Sequence, residues 1–201
     1  MFNPFNLTFK TEGGGGVHPA NSKSRKAMLK GLRWQMLDWE TAEKEVLDFL
    51  WMFVAAVKPR VIVETGTYKG WAALYMQTAY EGVEVFTVEI KRRLFNTARR
   101  HAKEHGVTKC NFILGDSTEV HWQDYLEGRK VDLCLVDCWE RAGALKNLLP
   151  HLRKDAYILF HDGLLWSRKF HTYAKRLQKA EVVHSVLTID TSRGLTICRK
   201  V

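Results

Sequence analysis

Short β-branched apolar runs alternate along this chain with stretches in which apolar residues recur every three or four positions. From Thr41 to Val57, the residues Val46, Leu47, Leu50, Phe53, Val54 and Val57 recur at helical spacing, and Pro59 ends the helix they predict. Val61-Ile62-Val63 then reads as a strand, and residues 71–80, free of Gly and Pro, as a helix. Strands follow at 83–89, 110–114, 131–136 and 156–160. Between the second and third, Leu94, Ala98, Ala102 and His105 form a helical stripe that Gly106 stops. Between the fourth and fifth, Ala144, Leu145, Leu148, Leu149 and Leu152 form another, which Pro150 should end early. A helix is expected from about Ser167 to Lys179, anchored by Phe170, Tyr173, Ala174 and Leu177. Two alternating runs, 182–188 and 195–198, are joined by Asp190-Thr191-Ser192-Arg193-Gly194 and predict a β-hairpin. The pattern as a whole predicts an α/β, Rossmann-like, doubly wound seven-stranded mixed sheet with helices on both faces and a C-terminal antiparallel β-hairpin.

The chemistry is concentrated where the strands end. The first strand runs into Glu64-Thr65-Gly66-Thr67-Tyr68-Lys69-Gly70, an acidic residue and two glycines four apart that suit a tight turn into a helix. This spacing is not G-x-G-x-x-G, and no G-x-x-x-x-G-K-[ST] is present, so neither the usual dinucleotide fingerprint nor a P-loop is expected. Glu89 ends the second strand, about 20 residues beyond the glycines, where a carboxylate meets both hydroxyls of a ribose. Gly115-Asp116-Ser117 ends the third strand, Asp137 the fourth and His161-Asp162-Gly163 the fifth. Five consecutive strands thus deliver a carboxylate to one edge of the sheet.

From about residue 41 to the C-terminus this series resembles the class I S-adenosylmethionine-dependent methyltransferases, in particular the O-methyltransferase-like branch whose fifth strand ends in H-D-G. The resemblance implies that Glu64, Gly66, Thr67, Tyr68, Gly70, Glu89, Asp116, Ser117 and Asp137 surround S-adenosylmethionine. Glu64 and Gly66 would lie by its methionine part, Gly70 beneath it, Glu89 at the ribose, and Asp116 with Ser117 at the adenine. Asp137, His161 and Asp162 become the expected catalytic residues. In related enzymes, residues at these positions hold Mg²⁺, which lowers the pKa of the acceptor hydroxyl; a histidine ligand here suits Mn²⁺ or a similar ion better. Two other readings stand beside the metal site: His161 as a metal-free general base, or His161 and Asp162 as caps of a turn. The fourth strand is followed by Asp137-Cys138-Trp139-Glu140, and no Pro-Pro pair exists anywhere. This favours a small or medium-sized hydroxyl acceptor over the exocyclic amine of a base.

With 201 residues, 46% of them hydrophobic and 26% charged, the chain suits one globular domain. No apolar run approaches the roughly 20 residues of a membrane span, and residues 1–5 do not open a secretory signal, so no membrane partner and a cytoplasmic location are expected. The net charge of +9 is uneven. Residues 1–33 carry six basic side chains against Glu12 alone, and Gly13 to Gly16 divide an apolar-aromatic leader from the rest. Residues 1–33 therefore form either a basic lid or arm or a simple tail, with 34–201 as the catalytic domain. Residues 24–37 look helical, with Met28, Leu29, Leu32 and Met36 as anchors. A second basic cluster, Lys91, Arg92, Arg93, Arg99, Arg100 and Lys103, follows Glu89. These charges are read either as solvated faces or as attraction for an anionic acceptor or RNA. RNA modification, and S-adenosylmethionine binding or degradation without methyl transfer, are the alternative functions. Cys110, Cys134, Cys138 and Cys198 lack zinc spacing and are expected to be buried reduced thiols; Cys138, beside Asp137, is the one position where a nucleophile is conceivable.

Overall fold

A computed structural model of the protein describes residues 41–163 and 165–201, with the backbone alone for 165–170. The glycine-rich arm, the helix expected over 24–37 and the Phe170 side chain lie outside the described residues. Helix α1 (Lys44–Val57) buries Val46, Leu47, Leu50, Trp51 and Val54 and stops where Lys58 turns left-handed, its N–H reaching Val54 O at 2.9 Å. Pro59 follows and cannot extend the helix. Strand β1 (Val61–Thr65) is buried on both faces, as a central parallel strand must be.

The remaining elements are α2 (Trp71–Gln77), β2 (Glu84–Glu89), α3 (Arg92–Glu104), β3 (Cys110–Leu114), α4 (Gln123–Leu126), β4 (Val131–Val136), α5 (Arg141–Leu148), β5 (Leu152–His161), α6 (Leu165–Lys179), β6 (Val183–Ile189) and β7 (Leu195–Lys200). Seven strands form one sheet in the order β3-β2-β1-β4-β5-β7-β6. The first five are parallel, and β7 inserts antiparallel between β5 and β6. The expected mixed sheet and terminal hairpin are therefore present. Alternate residues of a strand serve opposite cores: Ile62, Leu133 and Leu135 pack with α1 and α2, whereas Val63, Cys134 and Val136 pack with Trp122, Leu145 and Ala174 on the other face.

Three local readings of the sequence need correction. Leu152 opens β5 instead of extending a helix, because α5 stops at Leu148 and Pro150 sits in a 3₁₀ turn over Leu149–His151. Helix α2 ends at Gln77, where the Thr78 hydroxyl donates to Leu74 O and Tyr75 O and competes with the next turn. Only Cys134 and Cys198 are fully buried; Cys110 and Cys138 are intermediate, and all four are free thiols.

The chain runs outward from β1 through β2 to β3, then returns to place β4 on the other side of β1. That reversal makes the carboxyl ends of β1 and β4 the topological switch point, the place where doubly wound sheets bind ligands. The β1–α2 turn is pressed against β4 here. Gly66 has φ +93°, and a Cβ on it would lie 2.5 Å from Asp137 O, so only glycine fits. Gly70, at φ +88°, packs closely against α3, where a Cβ on it would lie 2.9 Å from Ala98 Cβ.

Candidate functional site

Glu89 is the hinge between the first two strand ends. Its Oε2 accepts the Tyr68 N–H at 2.8 Å and its Oε1 the Lys91 N–H at 2.8 Å, so one carboxylate ties the β1–α2 turn to the end of β2. Tyr68 is held at φ 50°, an unusual conformation for a tyrosine, and strained backbone of this kind gathers at functional sites. Ile90, next to Glu89, is 61% exposed and offers an apolar surface just beyond the end of β2. At the end of β3, Asp116 Oδ1 accepts the Thr118 N–H at 2.9 Å and the Thr118 hydroxyl at 2.7 Å. Those bonds hold its carboxyl below the ordinary range. Ser117 beside it is buried.

Glu64 behaves differently from the other acids. It lies one residue inside β1, 1% exposed, and bonds the Thr87 hydroxyl, which bonds that of Thr67 in turn. Burial pushes its carboxyl up to about 8, with the charges of Asp137 and Glu89 adding to the effect against the Thr87 bond. It therefore supports the turn from below as a largely neutral acid at pH 7. A carboxyl whose folded value exceeds its ordinary 4.5 stabilises the fold fully below pH 4.5 and loses that contribution as the pH rises toward 8. Urea denaturation across this window is expected to show stability falling with pH, and Glu64→Gln is expected to flatten the slope. An unchanged slope in the variant would assign the pH dependence elsewhere.

Asp137, His161 and Asp162 meet, with ligand-capable atoms all within 4.8 Å of one another. They meet inside a closed charge network. His161 Nδ1 lies 3.1 Å from Asp137 Oδ2 and 3.4 Å from Asp162 Oδ1, and its Nε2 lies 2.6 Å from Glu43 Oε2. Arg141 Nη2 donates to Asp137 Oδ1 at 2.9 Å and to Asp162 Oδ2 at 2.8 Å. Arg193 Nη2 pairs with Asp162 Oδ1 at 2.7 Å, and Ser192 Oγ donates to Glu43 Oε1 at 2.9 Å. Burial opposes charge on His161, yet Asp137, Glu43 and Asp162 raise it to about 10. Its imidazolium is the complement of Glu43, which burial would raise but the His161 bond and charge lower to about 2. At neutral pH His161 is thus a donor on both ring nitrogens. Asp162 is left-handed at φ 62°, which Asp tolerates, and this turns its carboxylate back toward β4.

The sequence pattern does not single out Glu43, Arg141, Ser192 and Arg193 as site residues. They reach the strand ends from the start of α1, the start of α5 and the β6–β7 turn. Only Arg141, four residues after Asp137 on what becomes a helix start, carried a local signal. Trp139, between Asp137 and Arg141 in the chain, is 88% exposed.

The fold is shared with solved methyltransferases. O-methyltransferase TomG from Streptomyces achromogenes, involved in tomaymycin synthesis and solved with S-adenosylmethionine, has TM-score 0.70 and 17% identity, covering 89% of each chain. An O-methyltransferase from Bacillus cereus, solved with S-adenosylhomocysteine, has TM-score 0.69 and 14% identity over 89% of this chain and 90% of its own. The Podospora anserina methyltransferase PaMTH1, also bound to S-adenosylhomocysteine, has TM-score 0.67 and 20% identity over 94% and 90%. No curated protein matches the sequence. The methyltransferase-domain family matches residues 63–163, half of the chain, and the protein belongs to that family.

Proposed function

We propose that the protein is an S-adenosylmethionine-dependent O-methyltransferase acting on a small or medium-sized hydroxyl compound. The observation that carries this reading is the Glu89 clasp: a carboxylate at the end of β2, fixed by two backbone N–H groups, with exposed Ile90 beside it at the carboxyl edge of the sheet. Each oxygen keeps a lone pair for a ribose hydroxyl, and Ile90 suits the flat face of a base. The residues present therefore fit the cofactor that the solved neighbours bind. Membership of the methyltransferase-domain family and the O-methyltransferases among the structural neighbours support the reaction class.

The bound cofactor supplies an electrophilic methyl group. The chain's part is to orient the acceptor in line with it and to exclude water, a positioning role that needs no covalent intermediate. Trp139, two residues beyond Asp137 and 88% exposed, would offer the acceptor an aromatic surface. Asp137 is held as a carboxylate despite its burial by His161, Arg141 and Arg193.

Calorimetry should find S-adenosylmethionine and S-adenosylhomocysteine bound more tightly than NAD, and labelled methyl should pass to phenolic or alcoholic hydroxyls. Tighter binding of NAD would overturn the reading. Transfer to RNA, or cofactor breakdown without an acceptor, would assign the two alternative functions instead.

A further inference from the structure

We propose that Arg141, and not a divalent cation, is the positive charge that holds Asp137 and Asp162 together, so that this methyltransferase works without a metal at its strand-four and strand-five ends. The inference rests on the methyltransferase reading of the same site and concerns how that site is built.

Two carboxylates held this close repel one another unless a cation lies between them. Arg141 occupies that place: one Nη2 nitrogen lies 2.9 Å from Asp137 Oδ1 and 2.8 Å from Asp162 Oδ2. The remaining two oxygens are engaged as well, Asp137 Oδ2 by His161 at 3.1 Å and Asp162 Oδ1 by Arg193 at 2.7 Å. Both nitrogens of His161 face carboxylates, Asp137 on one side and Glu43 on the other. Each carboxylate oxygen of the pair thus faces a cationic nitrogen of the chain, Asp162 Oδ1 through an ion pair that lacks hydrogen-bond geometry and the other three through hydrogen bonds. A hard divalent ion wants six or more oxygen ligands at about 2.0–2.6 Å, most of them carboxylate, carbonyl or water. To gain even two here it must expel a guanidinium whose side chain is 9% exposed and is fixed at the first turn of α5.

The network is also braced from outside the cluster. Arg193 comes from the β6–β7 turn and donates to Thr41 O at 3.3 Å, while Ser192 of the same turn donates to Glu43. The hairpin, the start of α1 and the start of α5 therefore converge on the strand ends and hold Arg141's partners in place. Two fixed guanidinium charges already stand among three carboxylates, and adding a doubly charged ion gives net positive repulsion in a buried site.

The test is a Mn²⁺ titration of the full-length wild-type protein, with free Mn²⁺ read by electron paramagnetic resonance, with and without S-adenosylhomocysteine. The free-ion signal is expected to stay undiminished up to about millimolar Mn²⁺, the range of weak protein sites. Uptake of one ion per chain that disappears in Asp162→Asn, or in Asp137→Asn if the first does not fold, would overturn the proposal. Uptake that survives both substitutions lies elsewhere and leaves Arg141 in its role. Because metal uptake is read without turnover and cofactor binding is followed in the same samples, failure here is distinct from failure of the methyltransferase reading.

Discussion

Arg141→Ala is expected to destabilise the fold by about 3–5 kcal/mol, the range for removing one partner from a buried ion pair. The side chains involved are 9% exposed for Arg141, 10% for Asp162 and 17% for Asp137, so water cannot readily replace the guanidinium. Its loss leaves Asp137 and Asp162 facing each other at the ends of adjacent strands, with His161 and Arg193 as the remaining cations among the described residues. Surface arginines in the same chain give the contrast. Arg100 pairs with Glu104 at 65% and 55% exposure, and Arg100→Ala should cost about 0–1 kcal/mol at most. Urea denaturation of the two variants measures the difference. A double variant, Arg141→Ala with Asp162→Asn, should recover part of the loss, since the repulsion is removed together with its remedy. Equal costs for Arg141→Ala and Arg100→Ala would mean that the network is held by other contacts.

What the sequence disclosed and what it hid divide along a physical line. Strand ends are local: a β-branched run, then an acid, then a turn residue, and the end of β4 at Asp137 and of β5 at His161-Asp162 could be read directly. The convergence of those three groups also followed, because β4 and β5 are sheet neighbours in this topology. The groups that answer their charge did not. Glu43 and His161 are 118 residues apart, and Glu43 and Ser192 are 149 apart, and nothing periodic in the chain marks them as partners. Two close carboxylates invite a cation, and the sequence alone does not show that Arg141 stands between them. Glu64 shows a finer limit. It looks like a strand-end acid, but the strand runs one residue further, and the pleat turns its side chain toward Thr87 in the interior. Leu152 hides its element for a related reason: after Pro150 it continues a three-to-four spacing, and only pairing with Val131 reveals that the chain has already become β5.

Glu89→Ala is expected to weaken S-adenosylmethionine binding by about 10 to 150-fold, which corresponds to roughly 1.5–3 kcal/mol for hydrogen bonds to a charged group. Two effects contribute, and they can be separated. The carboxylate is the acceptor that would take the ribose hydroxyls, and it also accepts the N–H groups of Tyr68 and Lys91. Removing it therefore costs direct contacts and loosens the β1–α2 turn, whose Tyr68 sits at a positive φ that the bond helps to hold. Glu89→Gln keeps one acceptor oxygen and the side-chain length, so it should preserve one backbone bond while losing the charge. If the direct contacts dominate, Gln and Ala weaken binding by similar factors; if the turn dominates, Gln retains most of the affinity. Calorimetry with S-adenosylhomocysteine on folded variants distinguishes these, and an unchanged dissociation constant in Glu89→Ala would remove Glu89 from the cofactor site.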